Sequence, residues 1–286
     1  IRTRSLSMLL SSALAPTNEQ QTTSNEQPVT LGLALSGGGA RGIAHLGVLA
    51  ALDELQLPVG RLAGVSSGAI VGALYAAGMP PREVLRLLQQ VNITRLTRIA
   101  LSRYGLFRLD GVGRLLEQHL GAGITFEQLR LPLTLVATDL VEGTSVPFST
   151  GPLLPPLLAS SAVPILYQPV HYQGRRLVDG GLLNNLPVEV LLGQPGLRVV
   201  GVHCNPPNRE AQVTTLRSLI ERTLNLAIGG NTVLSKQRCH LLLEPPELRR
   251  FRAMSYRLAP ELFDIGYRHT LERAAELEQL LRVATD

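Results

Sequence analysis

The chain contains no tryptophan, and only 4% of its 286 residues are aromatic. Single-stranded nucleic acid is held by aromatic platforms in a basic groove, and a formal charge of +5 without such platforms excludes it as a partner. Cysteine is scarce too. Cys204 and Cys239 have neither CxxC spacing nor histidines placed around them as zinc ligands, so they read as reduced, structural residues. No apolar run reaches the roughly 18 to 20 residues of a membrane span. The expectation is a soluble or peripheral, cytoplasmic protein whose mildly basic surface is compatible with anionic lipid.

The N-terminal region lacks the apolar residues needed for a core. Residues 16 to 30 are rich in Gln, Asn, Thr and Glu and read as disordered. Before them, Arg2 and Arg4 precede an apolar stretch from Leu6 to Leu10 and an Ala13-Leu14-Ala15 triplet, the order of a secretory signal. That stretch is short and broken by serine, and a start at Met8 explains it equally well. Residues 1–30 are therefore expected to be a disordered or processed tail, and residues 31–286 a single domain.

From Thr30 onward the pattern is an alternation of apolar runs and helical periods. Leu31 to Leu35 reads as a strand, and Ile43 to Leu55 as a helix with Ile43, Leu46, Leu49, Ala50 and Leu52 on its apolar positions. A second strand (Leu62 to Val65) and helix (Ala69 to Ala77) follow, the helix stopped by Gly78 and Pro80. This spacing predicts an α/β fold with parallel strands joined by right-handed crossovers. Further helices are expected at Pro81 to Val91 and Pro260 to Val283, and strands at Leu133 to Ala137, Leu197 to His203 and Cys239 to Leu243.

Three segments carry chemistry. Gly64-Val65-Ser66-Ser67-Gly68 lies where the second strand meets the second helix, the layout of a nucleophile elbow that lifts a serine hydroxyl to a helix N-terminus. Upstream, Ser36-Gly37-Gly38-Gly39-Ala40-Arg41-Gly42 also satisfies G-x-G-x-x-G, but a dinucleotide site wants an acid at the end of the second strand, which here ends in Val65-Ser66. The same geometry suits an oxyanion hole, with Gly38 and Gly39 as N–H donors and Arg41 adding charge or bracing the loop. Downstream, Asp179 stands before Gly180-Gly181, where close backbone approach is possible and a carboxylate could take the serine proton directly. A triad completed by His203, His240 or His269 satisfies chain order, but those histidines lie in strand or helix contexts, and too few strands precede the elbow for an α/β-hydrolase. Asp139 is read as a turn cap or a support for Asp179, Asn184 and Asn185 as fixing the Asp-Gly-Gly loop, and His45 as a packing residue.

Taken in this order, the three motifs resemble those of the patatin-like phospholipase family. Val136-Ala137-Thr138-Asp139 and Ala159-Ser160-Ser161-Ala162-Val163-Pro164 are similar to family segments as well. The resemblance runs from about Leu31 to beyond Tyr267, and the chain looks like compact bacterial members related to the catalytic domain of neuropathy target esterase. It implies a three-layer α/β/α fold with a mostly parallel sheet and a Ser66-Asp179 dyad. It also implies an oxyanion hole from Gly37, Gly38 and Gly39 with Arg41, the motif being supported by Gly42, Gly64, Gly68, Gly180 and Gly181. The activity implied is hydrolysis of lipid or lysolipid esters, of phospholipase A or lysophospholipase type, through an acyl-serine and with no metal or organic cofactor. The rivals are a catalytically idle lipid-binding protein of the same fold and a dinucleotide-binding oxidoreductase.

One more segment bears on the membrane. Between Asn92 and Arg108 a helical reading puts Ile93, Leu96, Ala100 and Tyr104 on one face, with Arg95 and Arg98 nearly opposite and Arg103 following. A surface helix and a membrane-docking flap for anionic lipid both fit that pattern.

Overall fold

The computed structural model of the chain describes residues 28–90, 98–102, 105–208 and 212–282. In chain order, the first half contains β1 (Thr30–Leu35), α1 (Ala44–Glu54), β2 (Val59–Gly64), α2 (Ser67–Ala76), α3 (Pro81–Gln90), β3 (Arg98–Ser102), β4 (Gly105–Arg108) and α4 (Asp110–Leu120). The second half contains β5 (Leu133–Asp139), β6 (Thr144–Phe148), α5 (Leu154–Ser160), β7 (Val170–Tyr172), β8 (Arg175–Asp179) and β9 (Leu197–Val202). It closes with α6 (Leu216–Asn231), α7 (Val233–Arg238), β10 (Leu241–Leu243), α8 (Ala259–Glu272) and α9 (Ala274–Arg282).

Strand alternation builds the layers. In β1, Leu31, Leu33 and Leu35 face the larger apolar cluster while Ala34 faces a smaller one. Leu62 and Ala63 divide the same way in β2, as do Val200 and Val199 in β9. Both faces are thus buried, as a parallel sheet requires. The larger cluster is closed by α1, α2 and α8, the smaller by Leu186, Val188 and Leu191 with α7 behind them. The result is a three-layer α/β/α fold whose second outer layer is the thinner. Among the described residues, no helix is long and apolar enough to cross a membrane.

Strands β10, β9, β1, β2 and β5 lie side by side in parallel. The sheet then changes character, because β5 pairs antiparallel with both β6 and β8, and β8 with β7. A backbone residue has only two edges. Leu135 pairs with Gly64 and Phe148, and Ala137 with Val146 and Asp179, so β6 runs along one edge of β5 while β2 and β8 share the other. These two strands approach one another end to end, and Ser66, just after β2, and Asp179, the last residue of β8, come together there.

Several expected elements differ. The first helix begins at Ala44, after a tight turn over Gly39–Ile43. The C-terminal helix is two helices, because Arg273, with φ −105° and ψ 12°, leaves the helical region one turn after Thr270 has bonded back to the Gly266 carbonyl. Between Asn92 and Arg108 the described residues form the antiparallel hairpin β3–β4 instead of a helix, with Ile99 opposite Phe107 and Ser102 opposite Gly105. Arg98-Ile99-Ala100-Leu101-Ser102 is a short apolar run bounded by polar residues, a length that suits a strand better than a helix. Residues 92–97 and 103–104, and with them Ile93, Arg95, Leu96, Arg103 and Tyr104, lie outside the described residues, as do 1–27 of the expected tail.

Candidate active site

The elbow forms because β2 and α2 are joined with almost no connecting chain. Ser66 takes up the turn with φ 53° and ψ −121°, a conformation that non-glycine residues rarely adopt and that costs about 1–3 kcal/mol. Surrounding bonds hold it there. The Val65 N–H donates to the Leu35 carbonyl at 3.1 Å, and the Ser66 N–H donates to both the carbonyl and the hydroxyl oxygen of Ser160, each at 3.1 Å. The buried Ser160 hydroxyl in turn donates to the Val136 carbonyl at 2.7 Å. Gly68 in the first turn of α2 lies against the Leu35 and Ser36 carbonyls, where a methyl group would collide, so the helix start is seated on the end of β1.

Asp179 arrives from the antiparallel half. Its N–H donates to the Ala162 carbonyl at 2.9 Å, and its carboxylate accepts the Gly181 N–H at 2.8 Å and the Ser66 hydroxyl. The side chain is buried, and burial pushes its pKa up to about 6 even though both hydrogen bonds act in the opposite direction. Asn185 links the two glycine loops. Its Oδ1 lies where Cβ atoms on Gly37 and Gly181 would be only 2.5 and 2.6 Å away. Gly180 is packed against the Val136 carbonyl, and Gly64 and Gly42 against the start of α2.

The glycine loop runs directly beside Ser66, since a Cβ on Gly37 would stand 3.1 Å from that of the serine. In a trans peptide the carbonyl and the following N–H point opposite ways, so whatever holds one aims the other. Asn205 Nδ2 donates to the Gly37 carbonyl at 2.8 Å, which aims the Gly38 N–H away from Asn205. The N–H and Nε of buried Arg41 donate to the Gly38 carbonyl at 3.3 and 3.4 Å, which turns the Gly39 N–H outward from that turn. Gly39 needs its φ of +58° and has no space for a side chain beside the Ala253 carbonyl. Among the described residues, neither the Gly38 nor the Gly39 N–H has an acceptor. The Gly37 N–H differs from the expectation for a donor, being directed to the Asn185 carbonyl at 3.3 Å.

Among the described residues, no histidine hydrogen-bonds Ser66 or Asp179. His203 Nδ1 faces Glu244 at 2.7 Å, His240 Nδ1 accepts the Val199 N–H at 2.9 Å, and His269 lies on α8. His45 donates from Nε2 to the Ser36 carbonyl at 2.8 Å, and burial lowers its pKa to about 4, so it is a neutral brace beneath the loop. Asp139 does not reach Asp179. It accepts the Val141 and Glu142 N–H groups at 3.0 and 3.3 Å and pairs with Arg175 at 3.0 Å. At the end of α1 away from the glycine loop, Asp53 accepts the Tyr75 hydroxyl at 2.6 Å. A cleft of about 470 Å³ lies between Pro206–Asn208 and Pro246–Arg250, and neither Ser66 nor Asp179 lines it.

Three residues that the sequence reading gave no role complete the site. Ser160 anchors the elbow, and Asn205 holds the glycine loop. Asn231 donates to the Gly181 and Leu182 carbonyls, both at 3.1 Å, and accepts the Asn185 N–H at 3.1 Å.

With this geometry in hand, comparison with known proteins is decisive about kinship. The family model for patatin-like phospholipases matches residues 33–192, more than half of the chain. The chain belongs to the patatin-like phospholipase family. The patatin-like domain is 37% identical over 196 residues to uncharacterized NTE family proteins of Mycobacterium tuberculosis and Mycobacterium bovis, a match covering 66% of this chain and 54% of each relative. The chain thus spans about half the length of those relatives. It is 28% identical over 194 residues to the neuropathy target esterase of Drosophila melanogaster, covering 60% of this chain and 13% of that protein. Among solved structures it is similar to VipD from Legionella pneumophila, with a TM-score of 0.58 and 15% identity over 88% of this chain and 68% of that one. At that identity the likeness is one of fold. Family and fold together identify a patatin-like scaffold.

Proposed function

We propose that this protein is a serine acyl hydrolase that cleaves ester bonds of phospholipids or lysophospholipids through a Ser66-Asp179 dyad. The observation that carries the reading is the contact between a serine hydroxyl held at positive φ on an elbow and a buried carboxyl with no histidine between them. A carboxyl with a pKa near 6 is ionised at neutral pH yet basic enough to accept a proton in the transition state. In this mechanism Ser66 Oγ attacks the ester carbonyl carbon as its proton passes to Asp179. The resulting oxyanion is held by the Gly38 and Gly39 N–H groups, with Gly37 giving close approach and Arg41 and Asn205 orienting the peptides. Collapse expels the alcohol, which takes the proton from Asp179. A water molecule then attacks acyl-Ser66, its proton returns by way of Asp179 to Ser66, and the fatty acid leaves.

The test is release of fatty acid from diacyl phospholipid and lysophospholipid by wild type and by Ser66→Ala. The reading predicts turnover of at least one class by the wild type and none by the variant. Lipid binding without turnover by the folded wild type would overturn it in favour of an idle lipid-binding protein.

A further inference from the structure

We propose that residues 249–258, together with Ile165 and Leu166, form the surface by which this protein docks onto an anionic lipid bilayer. The segment reads Arg249-Arg250-Phe251-Arg252-Ala253-Met254-Ser255-Tyr256-Arg257-Leu258. Phe251 and the preceding Leu248 are buried and anchor it, while all four arginines are exposed. Two large apolar side chains accompany them into solvent, Met254 at 50% and Leu258 at 43% exposure. Among the described residues, no carboxylate forms a salt bridge with any of the four arginines. The nearby Glu244 is engaged by Lys236 and His203, and Glu247 acts on Arg268 and His269. Four like charges in ten residues repel one another and gain nothing within the monomer. A bilayer of negative surface potential supplies the missing counter-charge, and each arginine near such a surface strengthens binding about fivefold.

The surface is tied to the site on two sides. The Ala253 carbonyl accepts the Ala40 N–H at 2.7 Å, next to Gly39 of the glycine loop. On the other side, the chain that holds the Ser66 and Asp179 N–H groups through Ser160 and Ala162 continues to Ile165 and Leu166, exposed by 51% and 37%. Tyr256 of one segment and Tyr167 of the other lie within electrostatic range, each pKa pushed up by burial and that of Tyr256 further by Tyr167. Exposed apolar side chains flanked by charge of one sign match a lipid interface, where apolar groups enter the acyl boundary and arginines meet head groups. The inference rests on the lipid-hydrolase reading for its choice of occupant, but it is tested by binding alone.

Cosedimentation of Ser66→Ala protein with phosphatidylcholine vesicles, with and without phosphatidylglycerol, reads docking without turnover. Binding is expected to need phosphatidylglycerol and to weaken with salt. Replacing Arg249, Arg250, Arg252 and Arg257 together with Gln should weaken it about a hundredfold or more, and replacing them with Lys should preserve it. Met254→Ser/Leu258→Ser should reduce the binding that survives high salt, whereas Arg86→Gln/Arg114→Gln, outside the surface, should change affinity less than about threefold. With Ser66 restored, the Gln variant should hydrolyse a short soluble ester at the wild-type rate. Equal binding of the parent and the Gln variant at low salt, or equal binding to both kinds of vesicle, overturns the proposal. Loss of ester hydrolysis with docking intact would count against the proposed chemistry and leave the surface standing.

Discussion

The two halves of the sheet each contribute one residue of the proposed dyad, and they hold it by different means. In the parallel half, the Ser66 hydroxyl is lifted by chain that adjoins it in sequence, where β2 ends, α2 begins and the backbone takes φ 53°, with Ser160 bracing its N–H from a distant segment. In the antiparallel half, Asp179 is fixed by chain from elsewhere, through Ala162, Asn185 and Asn231. A nucleophile must project rigidly, which a single strained turn achieves. A base must sit buried at a chosen distance from another strand's end, and only non-local packing provides that. The halves should therefore fail differently when altered.

The largest effect is expected in the parallel half. Ser66→Ala should lower ester turnover by about 10⁴-fold or more while leaving the thermal midpoint within a few degrees, since the elbow bonds are made by the backbone. Turnover above that level in a folded Ser66→Ala protein would remove the serine from the mechanism.

Asp179→Asn comes next, with an expected loss in kcat of about 10²- to 10⁴-fold. It also carries a stability signature with a definite sign. The folded pKa of about 6 lies above the unfolded 3.8, so the native state binds the proton more tightly, and the burial cost of the carboxylate appears as pH rises from near 4 to above 6. Removing the charge should thus stabilise the protein by about 1–3 kcal/mol at neutral pH, an advantage that fades below pH ~4. Thermal melts of both proteins across that range check the sign, and a variant that is less stable at pH 7 than at pH 4 relative to wild type would contradict it.

Gly39→Ala tests the glycine loop, where a side chain must oppose both the φ of +58° and the Ala253 carbonyl. Displacing one oxyanion donor should cost about 10²-fold in kcat and far less in KM, because the charge develops only in the transition state. The smallest effect is expected at Asn205, whose side chain, among the described residues, hydrogen-bonds only the Gly37 carbonyl behind the donor. Asn205→Ala should lower kcat by roughly tenfold with KM nearly unchanged, the scale of about 1–1.5 kcal/mol for one positioning hydrogen bond. A rise in KM at constant kcat would make Asn205 a substrate contact instead.

The same contrast governs what could be read from the amino-acid sequence. β1, the glycine loop, α1, β2, the elbow and α2 are successive units whose turn residues and periods announce them locally. β6, β7 and β8 escaped notice because they are short and, in Thr144-Ser145, polar and exposed, so no apolar alternation marks them. Asp179 was legible only through the two glycines after it. Ser160 acts across 94 residues, Asn231 across 50 and Asn205 across 168, separations at which periodicity carries no information. Asn205 did have a signal: it is a polar residue just beyond the C-terminal end of the parallel strand β9, the edge at which α/β sites gather. The Arg98–Arg108 hairpin was misread because its charges also fit a helical period.

The central claim is that Asp179 activates Ser66 directly. The rate at which a fluorophosphonate labels the protein, followed against pH with the adduct mapped by mass spectrometry, tests it most directly. The adduct should fall on Ser66, and the rate should drop as pH falls through about 6, as Asp179 takes up its proton. That limb should disappear in Asp179→Asn, leaving a slow, flat rate, and should persist in His203→Gln and His269→Gln. An adduct on another serine, or an acid limb that survives in Asp179→Asn and vanishes in a histidine variant, would contradict the account.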